Sequence, residues 1–242
     1  MLVDLLFIPG MLCDDGLWTA QAEALADVAC GRTCDLAAYD SIGAMAQGVL
    51  RQAPDEFALA GFSMGGCVAL EIVARAPRRV SRLALLDTSA AGLLPAVRQH
   101  YHQWIARIEA GGLEAYLADA FPRYVAPGRA NDKTLRETFV TMGRRVGAAA
   151  AVRQMRALLD YAGFSGELAK INRPTVLICG NQDHRTPVAI HEEMAARIGG
   201  SVLTVIQGSG HFTPLEQPAA VTAALRQWLQ MPVDIDSRKP YH

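Results

Sequence analysis

Three short stretches hold residue types that perform acyl transfer together. Gly61-Phe62-Ser63-Met64-Gly65-Gly66 sets one serine among small residues, Cys179-Gly180-Asn181-Gln182-Asp183 ends in a carboxylate, and Gly208-Ser209-Gly210-His211-Phe212 holds a histidine between glycine and phenylalanine. A serine hydroxyl is a weak nucleophile at neutral pH. It attacks a carbonyl when a base within hydrogen-bond reach takes its proton and an acid orients that base. Ser63 is the expected nucleophile, His211 the base and Asp183 the orienting acid. Asp87, at the end of the apolar run Val80–Leu86, is a rival acid. Asp183 is favoured because it directly precedes the strand that ends near His211, which gives the chain order serine, acid, histidine. The plain structural alternatives are a turn serine, a core or capping histidine and an N-cap carboxylate.

These loops need a frame that brings them to one place, and the chain alternates short apolar runs with longer helical patterns. Val3–Ile8, Arg32–Ala37, Glu56–Ala60, Val80–Leu86, Pro174–Cys179 and Ser201–Ile206 read as strands, bounded by Gly, Asp, Asn or Pro. Trp18–Ala26, Ile42–Gln52, Met64–Ala76, Pro187–Ile198 and Pro214–Leu229 read as helices between them. Pro187 and Pro214 fall where a first helical turn tolerates a missing N–H. The alternation predicts an α/β fold with a mostly parallel central sheet flanked by helices. Ser63, Asp183 and His211 then all follow strands and share the sheet's carboxyl end.

The rhythm breaks after Leu86. Leu94–Ala110, Leu113–Phe121, Lys133–Arg145 and Ala148–Tyr161 read as consecutive helices with no strand between them, so residues 89–165 form a helical insertion expected to overhang the site as a lid. It divides the core into 1–88 and 166–231, and 232–242 reads as a polar C-terminal tail. The insertion carries ten basic residues against six acids, although the whole chain has a net charge of −1. That local excess suits an acidic carrier protein or a carboxylated substrate as well as a plain solvated helix surface. Among its aromatics Trp104 and Phe139 are expected to line a substrate pocket, with Phe62 beside the serine and Trp18 near the N-terminus.

Composition narrows the partners. With 51% hydrophobic residues and no basic excess, the chain has a substantial core and no global attraction for nucleic acid or an anionic membrane. Asp4 interrupts the apolar N-terminus, which is too short to span a bilayer, and a cytoplasmic location is expected. The five cysteines form no CxxC pair or zinc-ligand spacing and are expected as buried, reduced thiols. His100 and His102 alternate on a predicted helix and point to different faces, which argues against a metal site.

Over nearly the whole chain, FIPGMLCD, GFSMGG, GNQDHRTP and GSGHFTPLEQP in this order resemble the α/β-hydrolase superfamily, in particular its small lid-bearing serine carboxylesterases. The resemblance implies an oxyanion hole built from the N–H of Met64, directly after the serine, and a second N–H from the Pro9–Leu12 loop, best supplied by Met11. Many relatives begin this loop with His-Gly, whereas this chain has Pro9-Gly10. The implied activity is hydrolysis of a small or medium carboxylic ester through an acyl-enzyme, without metal or organic cofactor. Lactone hydrolysis, carrier-protein methyl ester cleavage, C–C bond hydrolysis and perhydrolysis use the same machinery. A non-catalytic small-molecule receptor on the same fold is the reading from another class.

Overall fold

The computed structural model describes residues 2–164 and 166–233. Six parallel strands, β1 (Val3–Ile8), β2 (Ala29–Thr33), β3 (Phe57–Phe62), β4 (Val80–Leu86), β5 (Thr175–Gly180) and β6 (Val202–Ile206), form one sheet in the order β2-β1-β3-β4-β5-β6. The apolar runs are strands because both faces are covered: every residue of β3 and β5 is buried, as a parallel sheet between helices requires. The chain starts in the middle, steps outward to β2 and returns to the other side at β3. This places the reversal between β1 and β3, where the loops at the carboxyl ends diverge and leave a crevice.

Around the sheet lie α1 (Thr19–Ala24), α2 (Ile42–Gln52), α3 (Met64–Arg75), α7 (Val188–Arg197) and α9 (Pro218–Leu229), with the single turn α8 (Thr213–Glu216) ahead of α9. Registry levels the strand ends: Ile8 pairs with Gly61, Phe62 with Leu86, Leu86 with Ile178 and Gly180 with Ile206. The loops holding Ser63, Asp87, Asp183 and His211 therefore emerge on one side.

Several boundaries differ from the sequence reading for identifiable reasons. The second strand is Ala29–Thr33, not Arg32–Ala37, because Asp35 folds back to accept the Ala37 N–H at 2.8 Å and turns the chain out of the sheet. The helix expected from Trp18 starts with a 3₁₀ turn over Asp15–Leu17. Pro214–Leu229 is broken at Gln217, whose backbone is driven out of the helical region by Pro218. Trp18, expected in the pocket, is instead fully buried in the core and stacks on Phe7 at 4.7 Å. Cys30 is exposed and Cys34 half-buried, against the expectation of buried thiols, while all five cysteines are free.

Between β4 and β5 run α4 (Pro95–Glu109), α5 (Leu113–Tyr124) and α6 (Lys133–Asp160). The last two helices read from the sequence are joined in α6 across a kink at Gly147, whose φ of 81° and ψ of 165° leave the helical region at little steric cost. The two ends of this segment are pinched together by an antiparallel bridge between Ala91 and Gly163. From α6, Gln154 accepts the Leu12 N–H at 2.8 Å, Arg145 grips Asp14 and Arg153 donates to the Ala37 carbonyl. Of the tail read over 232–242, residues 234–242 lie outside the described residues, as does Ser165. Among the described residues no helix is long and apolar enough to cross a membrane.

Candidate active site

Ser63 sits between the end of β3 and the first turn of α3 with φ 52° and ψ −117°. The serine itself, rather than a glycine, takes the unusual backbone conformation, which costs roughly 1–3 kcal/mol in such cases. The flanking glycines serve close approach. A Cβ on Gly61 would lie 2.4 Å from the Gly65 carbonyl oxygen, and one on Gly65 would lie 2.2 Å from that of Ile8. Leu12 and Asp87 are the other non-glycine residues with positive φ among the described residues, so the unusual backbone concentrates at this end of the sheet. The turn is anchored from beneath: Ser63 N–H donates to the Leu86 carbonyl at 2.9 Å and its carbonyl accepts from the Thr88 hydroxyl at 2.7 Å. Thr88 N–H in turn donates to His191 Nε2 at 3.1 Å.

Three of the expected residues form an unbroken chain. His211 Nε2 lies 2.9 Å from Ser63 Oγ, and His211 Nδ1 lies 2.8 Å from Asp183 Oδ2. The second Asp183 oxygen accepts the N–H groups of Arg185 at 2.7 Å and Thr186 at 3.1 Å, while the Thr186 hydroxyl donates to Oδ2 at 2.6 Å. Burial pushes this carboxyl up, but His211 and these donors outweigh it and hold it down at about 2. An ionised Asp183 makes Nδ1 the protonated nitrogen of a neutral imidazole. The Nε2 lone pair is then left to face the serine hydroxyl.

The rival acid is elsewhere. Asp87 is fully buried, accepts the Gly180 N–H at 3.0 Å and the hydroxyl of Thr213, and makes no contact with His211. Burial and the nearby Asp183 charge push its carboxyl well up, toward the neutral form. His191, also fully buried, is pushed down to about 4 by burial and stays neutral as an acceptor for Thr88.

A cavity of about 270 Å³ opens at Ser63 and His211. Met11, Phe62, Met64 and Phe139 line it. Neither the Met11 nor the Met64 N–H has a protein acceptor among the described residues; the neighbouring Leu12 N–H is already taken by Gln154. Trp104, read as a pocket residue, lies outside the lining. It is 5% exposed and packs edge-on against Tyr116, with the Arg107 guanidinium 4.1 Å over its ring. Among the described residues no three His, Cys, Asp or Glu side chains gather as metal ligands.

Some residues at the site are absent from the sequence reading. Thr186 supports Asp183 from three positions on, an Asx-type spacing ahead of Pro187 that was available as a signal. Buried Glu216 accepts the N–H groups of Gly210 and Phe212 on one oxygen and that of Ala126 on the other, while His211 N–H donates to the Tyr124 carbonyl at 2.7 Å. The histidine loop is thus tied to the end of α5. No local pattern announces that link, because its parts lie 90 residues apart.

Known proteins with this architecture give the site its context. A relative from Xanthomonas campestris pv. campestris (strain B100), a pimeloyl-(acyl-carrier protein) methyl ester esterase, is 30% identical over 179 residues, covering 70% of this chain and 69% of its own. The 2-succinyl-6-hydroxy-2,4-cyclohexadiene-1-carboxylate synthase of Serratia proteamaculans (strain 568) is 26% identical over 203 residues, 80% of this chain and 76% of that protein. A solved thermophilic esterase from Thermogutta terrifontis, with malate bound, superposes with a TM-score of 0.82 at 26% identity over 94% of this chain and 89% of its own. Residues 5–225 match the model of the Alpha/beta hydrolase family, with the strand order and strand-end loops described above, and the chain belongs to that family.

Proposed function

We propose that this protein, a carboxylic ester hydrolase, cleaves a small or medium ester through a covalent acyl-enzyme on Ser63. The observation that supports this reading is the hydrogen-bonded series Asp183–His211–Ser63 opening into the cavity. Ser63 Oγ attacks the ester carbonyl as His211 Nε2 takes its proton, and the resulting imidazolium is stabilised by Asp183. The developing oxyanion receives the N–H groups of Met64 and Met11, each worth roughly 3–4 kcal/mol in a comparable hole. His211 then hands its proton to the departing alkoxide, takes one from water, and the hydroxide so formed releases the acid and restores Ser63.

In this reading α4–α6 act as a lid. They contribute Tyr101, Tyr116, Tyr124, Phe139 and Leu158 to the cavity wall.

Turnover of short-chain p-nitrophenyl acyl esters tests the mechanism. Ser63→Ala should lose roughly a millionfold in kcat, as removal of a serine nucleophile does elsewhere. Turnover retained by that variant would end the proposal. Absence of turnover by the wild type, with tight binding of a small molecule, would point to a receptor.

A carrier-linked ester is a second reading, favoured by the basic insertion and by the substrate named for the Xanthomonas relative. Much of that charge is already spoken for. Arg123, Arg129, Arg144 and Arg156 pair with acids of the insertion itself and Arg145 with Asp14. Exposed Arg107, Lys133 and Arg136 remain for a partner. Steering by them predicts that kcat/KM on a carrier-linked ester falls as salt rises, and a flat salt profile would remove the carrier from the account.

A further inference from the structure

One part of the cavity wall gathers a cation and three phenols. Arg185, two residues after Asp183, is half-buried and lines it, with its guanidinium 5.0 Å over the Tyr124 ring and Nη2 donating to Tyr101 Oη at 3.5 Å. Tyr116 and Tyr124 join hydroxyls at 3.2 Å. Burial and the neighbouring phenols push the Tyr101 and Tyr116 hydroxyls up, so both stay protonated and able to donate.

Counting donors against acceptors decides what the cluster lacks. The guanidinium carries five N–H donors and the three phenols one O–H each, whereas among the described residues the protein acceptors they use are the phenolic oxygens. Among the described residues no carboxylate forms an ion pair with Arg185; the oxygens of nearby Asp183 are taken by His211, Thr186 and two backbone N–H groups. A half-buried cation with surplus hydroxyl donors, facing an otherwise largely apolar cavity, is a site short of an acceptor.

We propose that Arg185 with Tyr101, Tyr116 and Tyr124 binds a carboxylate of the substrate, so that the preferred esters carry a free carboxylate besides the ester. The planar fork of a guanidinium matches a carboxylate in shape, and one cation matches one negative charge. The Tyr124 ring also lies 5.6 Å from the His211 ring, so a single aromatic side chain separates this subsite from the imidazole. A short diacid half ester spans that separation. The inference rests on the ester-hydrolase reading for its kinetic test and on the cavity alone for its binding test.

The kinetic test compares isosteric acids and amides. Monomethyl glutarate is set against methyl glutaramate, with the carboxylate on the acyl side; 4-acetoxybutanoate is set against 4-acetoxybutanamide, with it on the alcohol side. At least one acid should exceed its amide in kcat/KM by about 10- to 100-fold, the value of a charge-assisted hydrogen-bond pair. That ratio should collapse toward unity in Arg185→Gln and be partly kept in Arg185→Lys. Hydrolysis of all four compounds by the wild type without preference would overturn the subsite and leave the hydrolase reading intact. If none is hydrolysed, calorimetric titration with glutarate decides: binding that is lost in Arg185→Gln upholds the subsite while the hydrolase reading fails, and equal or absent binding overturns it.

Discussion

The loops after β4 and β5 leave the sheet side by side, and each carries a buried aspartate. Asp87 follows β4, faces Thr213 and the Gly180 N–H, and has no histidine in contact. Asp183 follows β5, faces His211 and collects three further donors. Burial disfavours the charged form of both carboxyls. The difference is what surrounds them. Four donors, one on an imidazole that gains a proton during the reaction, hold the Asp183 carboxyl down at about 2; burial and the adjacent Asp183 charge outweigh two donors at Asp87 and push its carboxyl well up. A buried acid at the right end of the sheet is thus insufficient for the orienting role, and the count of hydrogen-bond donors separates the two.

The largest expected break in this comparison is Asp183→Asn. The amide fits the same space but presents N–H₂ or C=O to His211 without a charge, so the imidazolium loses its support and kcat should fall by about four orders of magnitude. Steady-state ester turnover measures it, and a loss under tenfold would mean that Asp87 or another group takes over. A smaller effect of a different kind belongs to Asp87→Asn. Turnover should stay close to wild type, whereas the pH dependence of stability should change. Folded Asp87 keeps its proton above the unfolded carboxyl value near 3.9, so the unfolded state holds fewer protons and wild-type stability falls as pH rises past that value. Asparagine removes the effect, and urea midpoints at pH 5 and pH 8 should therefore show the variant gaining on wild type at the higher pH. Equal gains at both would show that Asp87 is ionised in the fold.

His191, which supports the β4 end through Thr88, offers the smallest test. From about pH 6.5 down to about 4 the unfolded chain takes a proton on this ring that the folded protein refuses. Stability should fall with pH across that window by on the order of 3 kcal/mol from this group alone. His191→Gln should flatten that part of the curve, read by thermal melts across the same range.

How far the chain spoke for itself follows the same divide. The strand-loop-helix pattern around Ser63 and the loops after β5 and ahead of α8 announce three residues that join in series, His211 lying 2.9 Å from Ser63 and 2.8 Å from Asp183, because alternation along a parallel sheet sends every such loop to one end. Trp18 and Trp104 show the limit. Helical spacing marks both for burial, yet one packs on Phe7 and the other under Arg107, since periodicity says that a face is covered without saying by what. Arg185 and the three tyrosines were beyond reach for a related reason: they come from α4, α5 and the loop after β5, and only tertiary packing makes them neighbours. The strand placed at Arg32–Ala37 failed on a turn aspartate, a local signal that was present but outweighed by apolar content.

Glu216 sets a constraint on recombination. One buried carboxylate holds the backbone on both sides of His211 and the backbone just after α5, and Gly210 lies so close to Ala126 that a Cβ would come within 2.4 Å of its nitrogen. The helices over the cavity are therefore no interchangeable cassette. A chimera that imports them from a relative must also import, or rebuild, the Tyr124–Ala126 backbone that seats the imidazole. Substrate scope and the alignment of the proton-transfer ring are inherited together, and the exchanges this architecture permits are those that spare α5 and keep Arg145, Arg153 and Gln154 of α6, which bond the core.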